Sequence, residues 1–259
     1  MKLRHWLSIL APLCLAGLAG AQALGPLPAF EGGGLPGGIP IAPEESSRAA
    51  TAVEIAVLLT ILTLLPAVLV TITSFTRIVI VLSFVRRALS VNELPPNPVI
   101  LGLALFLTTF VMAPVGTRIY EQAYQPYQNG QLTLEQAGGK AWDQLSVFLV
   151  ANTRTSELEL FADMAKLEMP EKGNELELPA RVIVPAFVLS ELKTAFQMGF
   201  LLFLPFLVID LIVSSILLSM GMFMLPPVMI STPFKILVFV LVDGWHLVCE
   251  SLVTSFVTT

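Results

Sequence analysis

The chain has 259 residues, 55% of them hydrophobic and only 13% charged, with a mean hydropathy of +0.82. Ordinary soluble domains are roughly 25% charged, so this composition excludes a simple soluble globule and points to an integral membrane protein. The formal net charge of −5 leaves no basic footprint for nucleic acid. The two cysteines, Cys14 and Cys249, have no His or Cys cluster around them, so neither a disulfide scaffold nor a metal centre is expected, and no cofactor is implied.

Residues 1–21 read as a secretory signal peptide. Lys2 and Arg4 precede an apolar run, and the small residues AGAQA at 19–23 permit cleavage after Ala21 or Ala23. An uncleaved anchor is the other reading; cleavage places the mature N-terminus outside the cytoplasm. Residues 22–51 are dense in Gly and Pro and read as a disordered linker. Its run Gly32-Gly33-Gly34 lacks the preceding strand and the following Lys-Ser/Thr of a phosphate loop.

A first apolar helical hairpin is expected over 52–115. About 20 residues suffice to cross a bilayer core, and 53–72 supply them, yet the apolar pattern runs on past Arg77 to Val85. A continuous helix of that extent would be about 50 Å long. Either it breaks near Pro66 or it projects beyond the lipid. Thr60, Thr63, Ala67, Thr71 and Ser74 share one face, suited to close helix packing or to a water-lined path. Arg77 sits at the edge of that face, where snorkelling or pairing with a carboxylate is expected. Arg86, Arg87 and the Pro95-Pro96-Asn97-Pro98 cluster form a cytoplasmic connection. The returning segment, 99–115, is expected to stop near Pro114.

Residues 116–184 carry regular charges and an acidic balance, with Leu145, Phe148, Leu149, Leu158, Phe161 and Met164 at helical spacing. They predict an external, periplasmic amphipathic helical insert. Its acids (Glu157, Glu159, Asp163, Glu168, Glu171, Glu175 and Glu177) read as a solvated face.

A second apolar hairpin is expected over 185–259. Its first arm holds Glu191, Lys193, Pro205 and Asp210; its second runs from Ile236 to Val257 as one helix, with Lys235, Phe239, Asp243, His246 and Glu250 on one drifting face. Between them lies the stretch MGMFMLPP, residues 220–227. Methionine is unbranched and polarizable and re-packs readily, so Met220, Met222, Phe223 and Met224 suit a deformable pore plug. Packing against a neighbouring chain or lipid is the other reading. Gly221 provides a hinge, and Pro226 and Pro227 stiffen the exit. On an insertion scale each central Asp costs roughly 3 kcal/mol, while each large aliphatic residue returns about 0.5 kcal/mol. The last helix is thus close to break-even in lipid and is expected to be shielded by protein, its own hairpin or other subunits.

Catalytic chemistry finds no support. Asp210 and Asp243 lack the glycine-flanked context of an aspartyl dyad, and no Gly-x-Ser-x-Gly elbow is present. No catalytic residue is assigned. Two classes stay open on the residues alone: a subunit of a multi-chain channel, and a proton-coupled secondary transporter working through Asp210 or Asp243. The second should show internal repeats, and the halves show none.

Several motifs in order, TSFTRI at 73–78, VLSF at 81–84, PPN at 95–97, GLALFL at 102–107, SELKTAFQ at 190–197 and VDGW at 242–245, resemble the FliP family. These are flagellar type III export-gate proteins, related to the SctR proteins of virulence injectisomes. The resemblance spans about 53–256, and the signal peptide and sizeable insert favour the flagellar branch.

The resemblance implies an all-α protein of kinked, membrane-associated hairpins that assembles into a helical pore complex of the flagellar basal body in the bacterial inner membrane. It implies a homo-oligomer, a pentamer, with FliQ-like and FliR-like subunits, alongside FlhA-like and FlhB-like export components, passing unfolded flagellar proteins outward. The family's methionine gasket maps onto Met222, Phe223 and Met224. Phe223 departs from the methionine common there and stiffens the plug. Arg77, Glu191, Lys193, Asp210, Asp243, His246 and Glu250 are assigned to subunit contacts and a polar network.

Overall fold

A computed structural model describes residues 44–90, 95–170, 173–222 and 224–256, with side chains described from residue 53 onward. Every regular element among them is helical. The signal peptide expected at 1–21 lies outside the described residues, as does the linker up to residue 43.

Helix α1, Glu44–Thr71, begins eight residues inside the expected linker. The reason is local: the Gly/Pro run ends at Pro43, and good helix formers follow. The helix also continues through Pro66 rather than breaking there. The break comes at 72–74 instead, where hydroxyl side chains compete for backbone groups. Thr73 donates to the Val70 carbonyl at 3.3 Å. On α1 itself, Thr60, Thr63 and Thr71 donate to carbonyls of their own helix at 2.7–2.9 Å, so these hydroxyls require neither water nor a partner helix. From Ile55 to Val70 the large apolar side chains are 38–62% exposed, a lipid-compatible surface.

Helix α2, Phe75–Ala88, is amphipathic and buries Ile78, Val81, Leu82 and Val85. Helix α3, Asn97–Ile119, takes Pro98 in its first turn, where no donor is lost. It passes Pro114 without stopping and continues through a π-helical turn, Tyr120–Tyr124, and a short helix α4, Gln125–Gln128. The apolar composition ends near residue 115, but the helix does not, because neighbouring side chains support it: Val111, Val115 and Ala123 are buried.

In the insert, α5, Leu134–Ala151, opens on a capping box in which Thr133 and Gln136 satisfy each other's backbone N–H groups. Helix α6, Thr155–Met164, follows. The expected apolar face is present in Phe148, Leu149 and Leu158, which are buried, and in Leu145 and Phe161, which are half-buried. Met164, by contrast, is 71% exposed in the last turn of α6.

Helix α7, Ala180–Ser219, is continuous through Pro185 and Pro205. It lies parallel to α2, with Arg77 against Glu191 and Phe84 against Gly199. A Cβ on Gly199 would fall 2.5 Å from the Phe84 ring, so glycine is what admits this close approach. Val182, Ile183, Ala186, Phe187 and Ala195 complete the core with α2 and the insert.

The final segment corrects the expectation of one helix from 236 to 257. Helix α8, Pro227–Leu241, and helix α9, Gly244–Thr254, are separate and bent by 63° at Asp243. The stripe from Lys235 to Glu250 is therefore split between two axes. By length and composition α1, the run Asn97–Gln128 and α7 can each cross a membrane, and the bent pair makes a fourth span if taken as one.

Candidate functional site

The methionine stretch is the tip of the hairpin formed by α7 and α8. Gly221 ends α7 with φ 75°; its N–H donates to the Leu218 carbonyl at 3.1 Å, and that of Met222 to Leu217 at 3.0 Å. This paired capping needs a left-handed residue and explains the glycine. Pro226 caps α8 and Pro227 fills its first turn. Between these stops the side chains are apolar yet unburied: Met220, Met222 and Leu225 are exposed, and Met224 is 95% exposed. Phe223 lies outside the described residues.

Three polar clusters hold the long helix α7 along its length. In the first, Arg77 Nε donates to Glu191 Oε2 at 2.9 Å and Nη2 pairs with Oε1. Arg77 Nη1 reaches the Ser255 carbonyl at 2.9 Å and its hydroxyl at 3.0 Å. The guanidinium lies 3.9 Å from the Phe256 ring centroid. Both charges are buried, with side chains 4% and 0% exposed. This knot joins α2, α7 and the chain's C-terminal end.

The second cluster joins α7 to α8. Lys235, 1% exposed, donates to Asp210 Oδ2 at 2.6 Å and to the Ser90 hydroxyl at 2.7 Å. Ser231 donates to Asp210 Oδ1 at 2.5 Å.

The third fastens the insert. Lys193 Nζ lies 2.6 Å from Glu157 Oε1. The Arg154 backbone N–H donates to Ser190 and its guanidinium to Thr194, each at 3.1 Å. Glu157 corrects the reading of the insert's acids as a uniformly solvated face, because it is buried against α7 to serve this pair. Glu159, Asp163, Glu168 and Glu177 are exposed as expected; Glu171 lies outside the described residues.

The Lys193 hydrogen bond holds the Glu157 carboxyl below its ordinary value of 4.5, against the burial that pushes it upward. A carboxyl with a depressed folded pKa stabilises the fold above its unfolded value, and this contribution is lost as pH falls through the lower folded value. Acidification below about 4.5 is therefore expected to loosen the insert's seat on α7. Glu157→Gln should loosen it at neutral pH and remove that pH step. Limited proteolysis of the insert across a pH series checks both.

Among the assigned charges, then, Arg77 pairs with Glu191, while Lys193 and Asp210 pair with Glu157 and Lys235, residues not picked out as their partners from the sequence. Within one copy of the chain Glu191 is buried and paired, and Asp210, half-buried, has its partners on the adjoining arm of its own hairpin, the first of the two kinds of shielding expected. The reason is geometric: antiparallel packing of α7 and α8 brings Lys235 to Asp210. Asp243, His246 and Glu250 are exposed, with His246 and Glu250 3.8 Å apart as an i,i+4 pair. Ser90, Ser231 and Ser255 were not signalled by the sequence, since a lone serine carries no pairing pattern. Lys235 had a signal, because a lysine inside an apolar helix requires a nearby acid.

The FliP family model matches residues 58–252. The chain belongs to the FliP family. It is 50% identical over 212 residues to the flagellar biosynthetic protein FliP of Bacillus subtilis strain 168, covering 82% of this chain and 95% of that one. Against the FliP of Pectobacterium carotovorum the identity is 52% over 204 residues, covering 79% and 78%. Against that of Borreliella burgdorferi it is 48% over 213 residues, covering 81% and 83%. The FliP match contains the methionine loop, Arg77, Glu191, Asp210 and Lys235. The chain is a membrane component of flagellar export and not an enzyme.

Proposed function

We propose that the chain is a core subunit of the flagellar export gate, assembling with copies of itself, as a pentamer, and with FliQ-like and FliR-like subunits into a closed pore for unfolded flagellar proteins. FlhA-like and FlhB-like components act beside it. The site is the bacterial inner membrane at the flagellar basal body. Residues 1–21 are a signal peptide, 52–115 and 185–259 are the two hairpins, and 116–184 is the insert facing the periplasm. Met220, Met222, Phe223 and Met224 form the gasket, with Gly221 as the hinge and Pro226 and Pro227 as the stop. Asp243, His246 and Glu250 are the charges available to neighbouring subunits.

The observation that carries this reading is the methionine-rich tip, where Met220, Met222 and Met224 stand in the open at the end of the hairpin. An apolar, unburied turn has no structural purpose within one copy of the chain. Several such tips converging on an axis exclude water, and thioethers re-pack when a polypeptide pushes through. Met222→Ala with Met224→Ala is expected to raise ion leakage through the assembled complex severalfold in bilayer recordings. Conductance equal to that of the parent complex would refute the gasket.

A further inference from the structure

The methionine loop is the end of an arm, and the arm has a root. Parallel packing sets Arg77 beside Glu191, Phe84 beside Gly199 and Ser90 at the level of Asp210. There α2 ends, with Ser90 in a left-handed conformation at φ 56°. Helix α7 runs on nine residues past Asp210 to Ser219, and α8 returns eight residues from Pro227 to Lys235. At about 1.5 Å per residue these are matched lengths of about 12–14 Å. Beyond the root Leu211, Ile212, Ile216 and Leu218 on α7, and Met229 and Phe234 on α8, are exposed.

The Asp210–Lys235 ion pair and the Ser231 hydrogen bond both lie within the arm, linking α7 to α8. They hold the hairpin closed, while α7, unbroken through Asp210, gives the arm only its coarse direction from the part packed on α2. The hydrogen bond from Lys235 to Ser90 is different: it leaves the arm and fastens it to the end of α2. Because Lys235 is buried and Asp210 supplies its counter-charge, the ammonium is held where it can grip one further acceptor. Ser90 presents that acceptor from a backbone conformation that few residues other than glycine and asparagine adopt easily.

We propose that Ser90, through Lys235, is a positioning residue that sets the resting direction of the methionine arm, the knot of Ser90, Lys235 and Asp210 being the pivot about which the arm swings. This inference rests on the gasket reading for its consequence in the pore, but not for its geometry. Ser90→Gly deletes the hydroxyl and suits the left-handed backbone, so it frees the arm without strain. Ser90→Asn tolerates the same backbone and restores a side-chain acceptor.

The test uses the full assembled complex with Cys249→Ser, with spin labels at positions 224 and 87 in one copy diluted among unlabelled copies. Ser90→Gly should broaden the distance distribution severalfold while complex yield stays unchanged, and Ser90→Asn should narrow it again. An unchanged distribution in Ser90→Gly would overturn the pivot. Leak recordings on unlabelled complexes separate the two readings. If the Met222 and Met224 alanine variant leaks while Ser90→Gly moves neither distance nor leak, the pivot falls and the gasket stands. If Ser90→Gly broadens the distances and the alanine variant does not leak, the gasket falls and the pivot stands.

Discussion

Glu191→Gln is expected to destabilise the fold by about 3–5 kcal/mol, because it strips a buried guanidinium of its counter-charge. Arg77 is 3% exposed and would keep one neutral amide oxygen at position 191, the Ser255 carbonyl and hydroxyl, and the Phe256 ring. Those partners stabilise a cation less than a carboxylate does in so dry a site. Arg77→Met should be comparably damaging, since it leaves a carboxylate without its donors. The double replacement Arg77→Met with Glu191→Leu removes both charges and should recover most of the loss, as buried pairs exchanged for apolar side chains of similar volume are often neutral. Thermal denaturation of the detergent-extracted chain, followed by size-exclusion of the surviving fraction, reads all three. A pair that worked only between subunits would leave the single chain's midpoint unmoved in every variant. The intramolecular geometry predicts a large shift in the two single variants.

How far the sequence discloses this architecture depends on whether a signal is local. The helical class and the long apolar segments follow from periodicity and composition over long windows, and these survive among the described residues. The capped tip is equally legible, because Gly221 and the Pro226-Pro227 pair act through their own backbones. Where a helix stops is less legible. Pro66, Pro114 and Pro205 all sit inside continuous helices, since one missing hydrogen bond is outweighed by the packing or apolar solvation of the surrounding turns. The actual break at 72–74 has no proline and arises from competing hydroxyls. Partnering is least legible of all. Arg77 and Glu191 are 114 residues apart and Lys235 and Ser90 are 145 apart, so their meeting is fixed by how helices pack. Composition could say that a buried acid needs a cation, but not which one, nor that the same chain provides it. Glu157 shows the opposite failure: among acids spaced like a solvated face, only contact with α7 distinguishes the buried one.

The bend at Asp243 offers the second large effect. Asp243 adopts φ 50° and ψ 52°, a left-handed conformation that costs an ordinary L-residue roughly 1–2 kcal/mol and that Asp and Asn bear better than most. The next residue, Gly244, faces Phe239: a Cβ there would lie 2.2 Å from the ring. Phe239 cannot easily yield, since it is buried and packs edge-on against Trp245 at 5.3 Å and against Phe206 at 6.2 Å. Gly244→Val is therefore expected to expel Phe239 or straighten the bend, at about 1–3 kcal/mol for overpacking. Asp243→Val should also be destabilising, because a β-branched residue resists the left-handed region. Asp243→Gly and Asp243→Asn should keep the 63° angle, the glycine variant by removing the backbone strain. This separates the two roles of one residue. If Asp243 serves only to turn the chain, the Gly and Asn variants assemble as the parent does, and only the Val variants fail. If its exposed carboxylate also holds a neighbouring subunit, Gly and Asn weaken assembly while the single chain's thermal midpoint stays put. Native gel electrophoresis of the complex, beside denaturation of the isolated chain, distinguishes a backbone requirement from a charge requirement.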